Sequence, residues 1–520
     1  MHEMAPSRAE LPAAVPWTRR RFLKTAGGGL AGALVLGSGF RLATWPDVAA
    51  GGTTPAVLPP TRTSAPEARR VFRSRPDLQP QVITVSRASG GVAPGYVFFT
   101  PANGVPPDGP MIADDAGNPI WLRPDGEGYA TNFRVSTYRG APVLSWWEGQ
   151  SVGGHGQGSY VIADGSYREV ARVRAGNGYQ GDLHEFILTP QGTALFTVFG
   201  NVPNYTGPWK GPLLEGIVQE VDVATGKVLF EWHSGAHVGV DESYAGPPTQ
   251  PDQAFDYFHV NSIDVADDGN LVVSGRHTWT VYKIDRVSGE IVWRLGGKKT
   301  DFAMGPGAQF YWQHDARAHP GDVMTIFDDG ASGGPNPPET QSRALTLQLD
   351  TASMSADVAR ALTHPNSLLA TSQGNVEVMS DGGTFVGWGS APYFSEYGPE
   401  GTLRYDAQFS NGPSYRAFRF PWVGTPAEPP AVAADATLDG RLTVYASWNG
   451  ATEIATWEVL AGPSRGQLER GASVSKAGFE TAIVLPTWSR YVAVRAVDAG
   501  GAVLGESAPL QVQLPGARLL

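Results

Sequence analysis

The feature that most constrains this chain is a short unit that returns along it: strand, tight turn, strand. After His259 the sequence runs through Ile263-Asp264-Val265, the turn Asp267-Asp268-Gly269-Asn270 and Leu271-Val272-Val273-Ser274. It continues as Val281-Tyr282-Lys283-Ile284-Asp285, the turn Ser288-Gly289 and Ile291-Val292-Trp293-Arg294. That makes about four strands in under roughly forty residues, the size of one propeller blade. Related stretches span Phe186 to Phe196, Gln219 to Trp232 and His314 to Phe327, with looser copies at Asp114 to Trp121 and Leu368 to Trp388. The expectation is an all-β chain whose first large domain, residues 74–423, is a six-bladed β-propeller. Composition agrees, since 65 Gly and 42 Pro supply turns while sustained helical periodicity is nearly absent.

The flanks differ in character. Thr18-Arg19-Arg20-Arg21-Phe22-Leu23-Lys24 precedes a weakly apolar, Gly/Ala-rich run from Ala26 to Phe40. This fits a twin-arginine export signal over residues 1–50, with Tat translocation and an extracellular, periplasmic or cell-envelope destination. Residues 51–73 read as a linker. With no cysteine in the chain, export brings no disulfides and no thiol nucleophile is available. A second linker, 424–434, carries Pro426, Pro429 and Pro430. Beyond it, residues 435–515 alternate apolar and polar positions in short strands, as a fibronectin III or immunoglobulin-like β-sandwich does, with Trp457 as a core aromatic. The net charge of -11 argues against nucleic acid as a partner, because phosphate binding needs a basic stripe.

Candidate chemistry lies with the histidines. His184, His259 and His314 stand at corresponding places before or at the start of predicted strands, which would gather them around one axis. Asn261 lies two residues after His259 and so faces the same way on a strand, and Arg276 ends the next strand of the unit. His277 would face away as a structural residue, and His233, His237, His319 and His364 fall in turns or loops. Three histidines can hold a metal. A neighbouring arginine repels a cation, however, and with asparagine it suits an anionic group better. We therefore expect no metal and no bound cofactor.

The segments DLHEF, FHVNSIDVADDGNLVVSGRH, KIDRVSGEIVWRLGG, QHDARAHPGDVMTIFDDG and GWGSAPYFSEYGPEG resemble the arylsulfate sulfotransferase family over about residues 74–423. The chain is most similar to a shorter branch with a C-terminal sandwich. The resemblance implies a propeller whose funnel holds a histidine nucleophile, matching His314, with His184, His259, Asn261 and Arg276 assisting. It also implies an enzyme that needs no nucleotide sulfate donor and moves a sulfuryl group from an aryl sulfate to a phenol by a ping-pong sulfohistidine route.

Two other readings remain open at this point. The segments Val221 to Lys227 with Trp232, and Ile284 to Trp293, look like the blade-docking repeats of quinoproteins that carry pyrroloquinoline quinone, although the tryptophans could simply lock one blade to the next. A non-enzymatic extracellular binding propeller is the other. Trp146, Trp147, Tyr205 and Trp209 fit either a funnel mouth or blade core.

Overall fold

The computed structural model describes residues 69–102, 109–123, 129–250, 252–410 and 412–514. The export signal read over 1–50, and most of the linker after it, lie outside the described residues. Among the described residues, helix is confined to Ser234–His237 and a 3-10 turn at Val240–Glu242. None is long and apolar enough to cross a membrane.

Among the described residues, strand follows strand in mostly antiparallel sheets, six of them between Ile83 and Phe420. The second comprises Tyr129–Tyr138, Ala141–Val152, His155–Ala163 and Glu169–Val173. The third is built on Phe186–Leu188, Thr193–Val202, Leu213–Asp222 and Val228–His233, with Phe255–Asp256 added in parallel to the third of these strands. Val260–Val265, Leu271–Gly275, Thr280–Ile284 and Ile291–Gly296 make the fourth. The fifth begins at His314–His319 and the sixth at Asn375–Val378. Hairpin connections keep successive strands adjacent within these sheets. Gly269 and Gly289 sit in the turns at φ of 83° and 78°, the left-handed backbone that a Cβ disfavours.

The first sheet is composite. Its strands Tyr96–Pro101, Met111–Ala113 and Pro119–Leu122 pair with Ser414–Phe420 from the far end of the series. The sixth sheet in turn takes Ile83–Ala88 on its outer edge. Chain segments more than three hundred residues apart are thus stitched together twice, which covers edges that would otherwise be open.

Where the first strands of the sheets meet, Arg416 is completely buried. Its guanidinium donates to Asn132 Oδ1 of the second sheet at 2.7 Å, to Glu185 Oε1 beside the third at 3.0 Å and to the Asn261 carbonyl of the fourth at 3.0 Å. Asp315 of the fifth lies 3.2 Å from its Nε. Asn375 of the sixth exchanges hydrogen bonds with the backbone of Ala417. A single arginine neighbourhood therefore joins all six sheets. Glu185 also pairs with Arg134 at 2.9 Å and Arg317 at 2.5 Å, and these cations hold its carboxyl at about 2 against the upward push of burial. Apolar packing fills the space between sheets. Trp232, 2% exposed, donates its indole N–H to the Gly289 carbonyl at 3.0 Å and so ties the third sheet to the fourth. Trp146 and Trp147 are buried in sheet packing, and Trp209 is tied to the Pro212 carbonyl.

The C-terminal segment forms two further sheets. Ala431–Ala436, Leu442–Ser447 and Glu480–Leu485 make one, and Thr456–Ser464, Gln467–Ser475, Tyr491–Val497 and Val503–Glu506 the core of the other. The first of these strands begins within the segment read as a linker. Leu442, Val444, Trp457, Val459, Ile483 and Val494 share one hydrophobic cluster between the sheets. Trp457 is fully buried. This segment docks on the rest through Tyr167, which donates to the Gly450 carbonyl at 2.7 Å, and through the Ser74 hydroxyl on Glu480 at 2.6 Å.

Candidate functional site

Three consecutive sheets each bring a histidine to the place where their first strands converge. His184 precedes the first strand of the third sheet, His259 that of the fourth, and His314 opens that of the fifth. Each ring is anchored through Nδ1 by a carboxylate. His184 meets Asp182 Oδ2 at 2.6 Å, His259 meets Asp256 Oδ2 at 2.5 Å and His314 meets Asp329 Oδ2 at 2.7 Å. An anchored Nδ1 fixes ring orientation and leaves Nε2 for other work. The rings of His184 and His259 lie 4.9 Å apart, and Tyr415 stands 5.5 Å from His184 and 6.1 Å from His314.

Backbone geometry explains the aim of these side chains. His259 has φ 52°, Trp312 57° and Asp315 54°. Register shifts break the ladder between Val260 and Ser262 and between His314 and Arg317. Bulges of this kind re-aim side chains at a sheet rim. Simple alternation from His259 to Asn261 therefore does not describe the fourth sheet. Asn261 is fully buried, donates Nδ2–H to the Gln313 carbonyl at 2.6 Å and leaves Oδ1 without a partner among the described residues. Asp315 turns away from His314, giving its carboxylate to Arg317 and to the Val376 N–H.

His314 is 2% exposed and held in one tautomer. The Gln373 N–H donates to its Nε2 at 3.2 Å, so that nitrogen is an acceptor and carries the lone pair. Nδ1 must then bear the hydrogen it donates to Asp329. Burial lowers the His314 pKa well below the usual 6.5, and the charges of Arg276, His184 and His259 lower it further. Burial pushes the Asp329 carboxyl up, opposed by the Arg276 guanidinium.

Arg276 is 9% exposed. It donates to the Thr371 carbonyl at 2.8 Å and lies over the Trp312 ring at 5.1 Å, while its Nε–H is buried without a partner among the described residues. His277 corrects the sequence expectation. The strand ends at Gly275, residues 276–279 form a turn and alternation no longer applies. The ring faces into the cluster, 4.6 Å from His259. Its Nδ1 donates to the Asp256 carbonyl at 2.6 Å, and its Nε2 lies 3.3 Å from an Arg276 nitrogen and accepts from it. Burial brings its pKa down to about 4. His277 thus orients the arginine. His233 and His364 lie on Glu215 and Asp406 in other parts of the sheets.

Sequence reasoning passed over His155, at the start of a strand of the second sheet, and Asp256. His155 Nε2 stands 3.0 Å from Asp256 Oδ2. The nearest sequence signal is the recurrence of Asp just before His, in Asp182-Leu183-His184 and Asp256-Tyr257-Phe258-His259. His155, Asp256 and His259 have ligand atoms within 4.8 Å of one another, a set that suits a zinc-type ion. Direct hydrogen bonds within the set already satisfy these atoms.

Together these features define an all-β protein with a cluster of carboxylate-anchored histidines and a buried arginine held by His277 and Thr371. The family model for arylsulfotransferases (ASST) matches residues 134–410, more than half of the sequence. The chain belongs to the arylsulfotransferase family. No curated protein shows significant sequence similarity to it. Among solved structures, it is similar to a protein of unknown function from Bacteroides caccae at 14% identity and a TM-score of 0.38, covering 62% of this chain and 98% of that one. It is also similar to a catalytically inactive variant of virginiamycin B lyase from Staphylococcus aureus with quinupristin, at 9% identity and a TM-score of 0.32, covering 71% and 97%.

Proposed function

We propose that the six sheets close into a six-bladed propeller around Arg416, and that the enzyme moves a sulfuryl group from a phenolic sulfate ester to a phenol through a sulfohistidine at His314. No nucleotide sulfate donor takes part. The observation that carries this reading is the fixed tautomer of His314, a buried neutral imidazole whose Nε2 carries a lone pair and which feels the charge of an under-satisfied arginine, Arg276. With no cysteine present, this is a credible nucleophile toward an electron-poor centre.

In the first half-reaction Nε2 displaces the Gln373 N–H and attacks sulfur. The bond from sulfur to the aryl oxygen breaks, and the electron pair leaves with the phenolate. Arg276 and Asn261 stand near the transferred oxygens. Arg276 Nε–H offers a buried donor there, and one such donor is worth about 2.7 to 4 kcal/mol in the transition state. A phenol has a pKa near 10, so the leaving oxygen is helped by a proton from His184 or His259. The sulfohistidine is an N-sulfonated imidazolium, and Asp329 offsets its ring charge through Nδ1–H. In the second half an acceptor phenol attacks sulfur, the bond to Nε2 breaks, and a histidine takes the phenolic proton.

Initial rates with p-nitrophenyl sulfate at several fixed phenol concentrations should give parallel double-reciprocal lines, the signature of an intermediate that outlives the first product. Intersecting lines would mean that donor and acceptor bind together and transfer directly. No nitrophenol release with any phenol would favour a propeller that only binds.

The proposal includes export through the Tat route by residues 1–50, and a fibronectin III-like role for the two C-terminal sheets as a sandwich. Changing Arg19 and Arg20 to Lys should leave the protein in the cytoplasm on fractionation, and unchanged export would exclude that route.

A further inference from the structure

Trp146 and Trp147 are taken up by sheet packing, but a second set of aromatic rings leads away from the buried arginine. Arg276 lies over Trp312 at 5.1 Å, and the Trp312 ring meets that of Trp279 at 5.4 Å and 72°. Tyr311 meets the same indole at 5.0 Å and 85°. On Trp279 the ring of Tyr244 is stacked flat, with centroids 3.6 Å apart and planes 7° from parallel. Resting on the sulfotransferase reading, we propose that Trp279 selects the aryl group of the donor. Tyr244, itself a phenol, keeps the place on that indole which the second ring of a two-ring aryl sulfate takes.

Unusual backbone sets both tryptophans. Trp279 closes the turn of residues 276–279 at φ 50°, and Trp312 stands two residues before His314 at φ 57°. Bulky side chains are rare in this left-handed region, and such backbone persists where the surrounding structure imposes it, often at ligand sites. The Trp279 N–H donates to the Arg276 carbonyl at 3.3 Å. Indole and guanidinium are therefore carried on one turn, and fixing one fixes the other.

The pairing of Tyr244 with Trp279 leaves both something to gain. The Trp279 Nε1–H is buried without a partner among the described residues, a cost that an oxygen on a bound ring can remove. Centroids 3.6 Å apart leave almost no offset, the arrangement two electron-rich rings favour least. A ring whose electron density is drawn off by its sulfate ester stacks there at less cost. Tyr244 is 37% exposed, so its ring has solvent to turn into. Its N–H, donated to the His277 carbonyl at 2.7 Å, holds the backbone in place meanwhile. Lys298 lies over the Tyr244 ring at 4.7 Å, yet the Asp241 and Ser243 carbonyls fix its Nζ at 3.1 and 2.5 Å. The ammonium thus stays to cover an incoming ring.

Reach sets the selectivity. Trp312 stands between the guanidinium and Trp279. With the ester at Arg276, the first aryl ring lies along Trp312, and only a second ring, fused or linked, arrives at Trp279. One-ring donors leave Tyr244 where it is.

The test compares 4-methylumbelliferyl sulfate, with two fused rings, and p-nitrophenyl sulfate, with one, on the full chain at a fixed phenol concentration. Trp279→Ala should lower kcat/KM for the two-ring donor about tenfold, the size of one aromatic stacking contact, and change that for p-nitrophenyl sulfate by less than about twofold. Trp279→Phe should recover most of the loss. Tyr244→Ala should act in the opposite sense and raise kcat/KM for the two-ring donor about threefold, because no side chain has to leave the indole first. A merely structural role for these rings would move both donors together and give no gain from Tyr244→Ala, and either result would overturn the proposal. Wild-type protein that releases no phenol from either donor would instead sink the sulfotransferase reading. Calorimetric titration with 7-hydroxy-4-methylcoumarin and with phenol reads the contact without turnover, and serves where Trp279→Ala fails to fold. Tighter binding of the coumarin, tighter still in Tyr244→Ala, is the expected result. Equal affinities that Tyr244→Ala leaves unchanged would overturn the assignment of Trp279.

Discussion

His314→Asn should lower turnover of p-nitrophenyl sulfate with phenol by roughly 10⁴-fold or more, the scale on which a covalent nucleophile is lost. The imidazole is buried beneath Gln373 and anchored by Asp329. An asparagine side chain offers no comparable lone pair, so the effect falls on kcat rather than on donor binding. Asp329→Asn should cost less, about 10²- to 10⁴-fold, because the imidazole remains but loses the carboxyl oxygen that takes its Nδ1–H and fixes its tautomer. Steady-state kinetics on folded variants measure both. A His314 variant within about tenfold of wild type would mean that the sulfuryl group is not carried on this residue.

Glu185→Gln should destabilise the fold by about 3 to 5 kcal/mol, the cost of removing one partner from a buried ion network. The carboxylate is fully buried and serves Arg134, Arg317 and Arg416, each from a different sheet. Without its charge Arg317 and Arg416 keep Asp315 as a paired anion, and Arg134 loses its ion-pair partner among the described residues. Glu377 supplies the contrast. Burial pushes its carboxyl up to about 8 and Arg419 only partly counters this, so it is largely neutral at pH 7. Glu377→Gln should therefore shift stability by less than about 1 kcal/mol, since an amide oxygen can still accept from the Arg419 N–H. Denaturant unfolding midpoints compare the two. Equal losses would show that the central charge network does not hold the sheets as described.

The repeating unit was legible because its physics is local. Leu271–Gly275 and Thr280–Ile284 alternate or fill their faces with β-formers, and Gly269 and Gly289 mark turns that need positive φ. The positions of His184, His259 and His314 followed from the same units. Several features were not legible because they depend on contacts across the chain or on a broken strand period. Arg416 meets Glu185 across 231 residues of sequence, and no window shows that pairing. Asp256 lies in a two-residue strand added to the third sheet, outside the repeat. Asp329 comes fifteen residues after the histidine it anchors. His277 was misplaced because strand alternation was carried into a turn. His155, in a Gly-rich stretch, gave no pattern to the eye and became visible only as a partner of Asp256.

The most direct measurement is the intact mass of the protein, held at neutral or mildly alkaline pH, after brief exposure to p-nitrophenyl sulfate without acceptor. An adduct of about 80 Da, the mass of SO3, that disappears on adding phenol and is absent from His314→Asn is the predicted result for a covalent intermediate. Nitrophenol release with no adduct on His314, or with an adduct that survives in His314→Asn, would contradict the account.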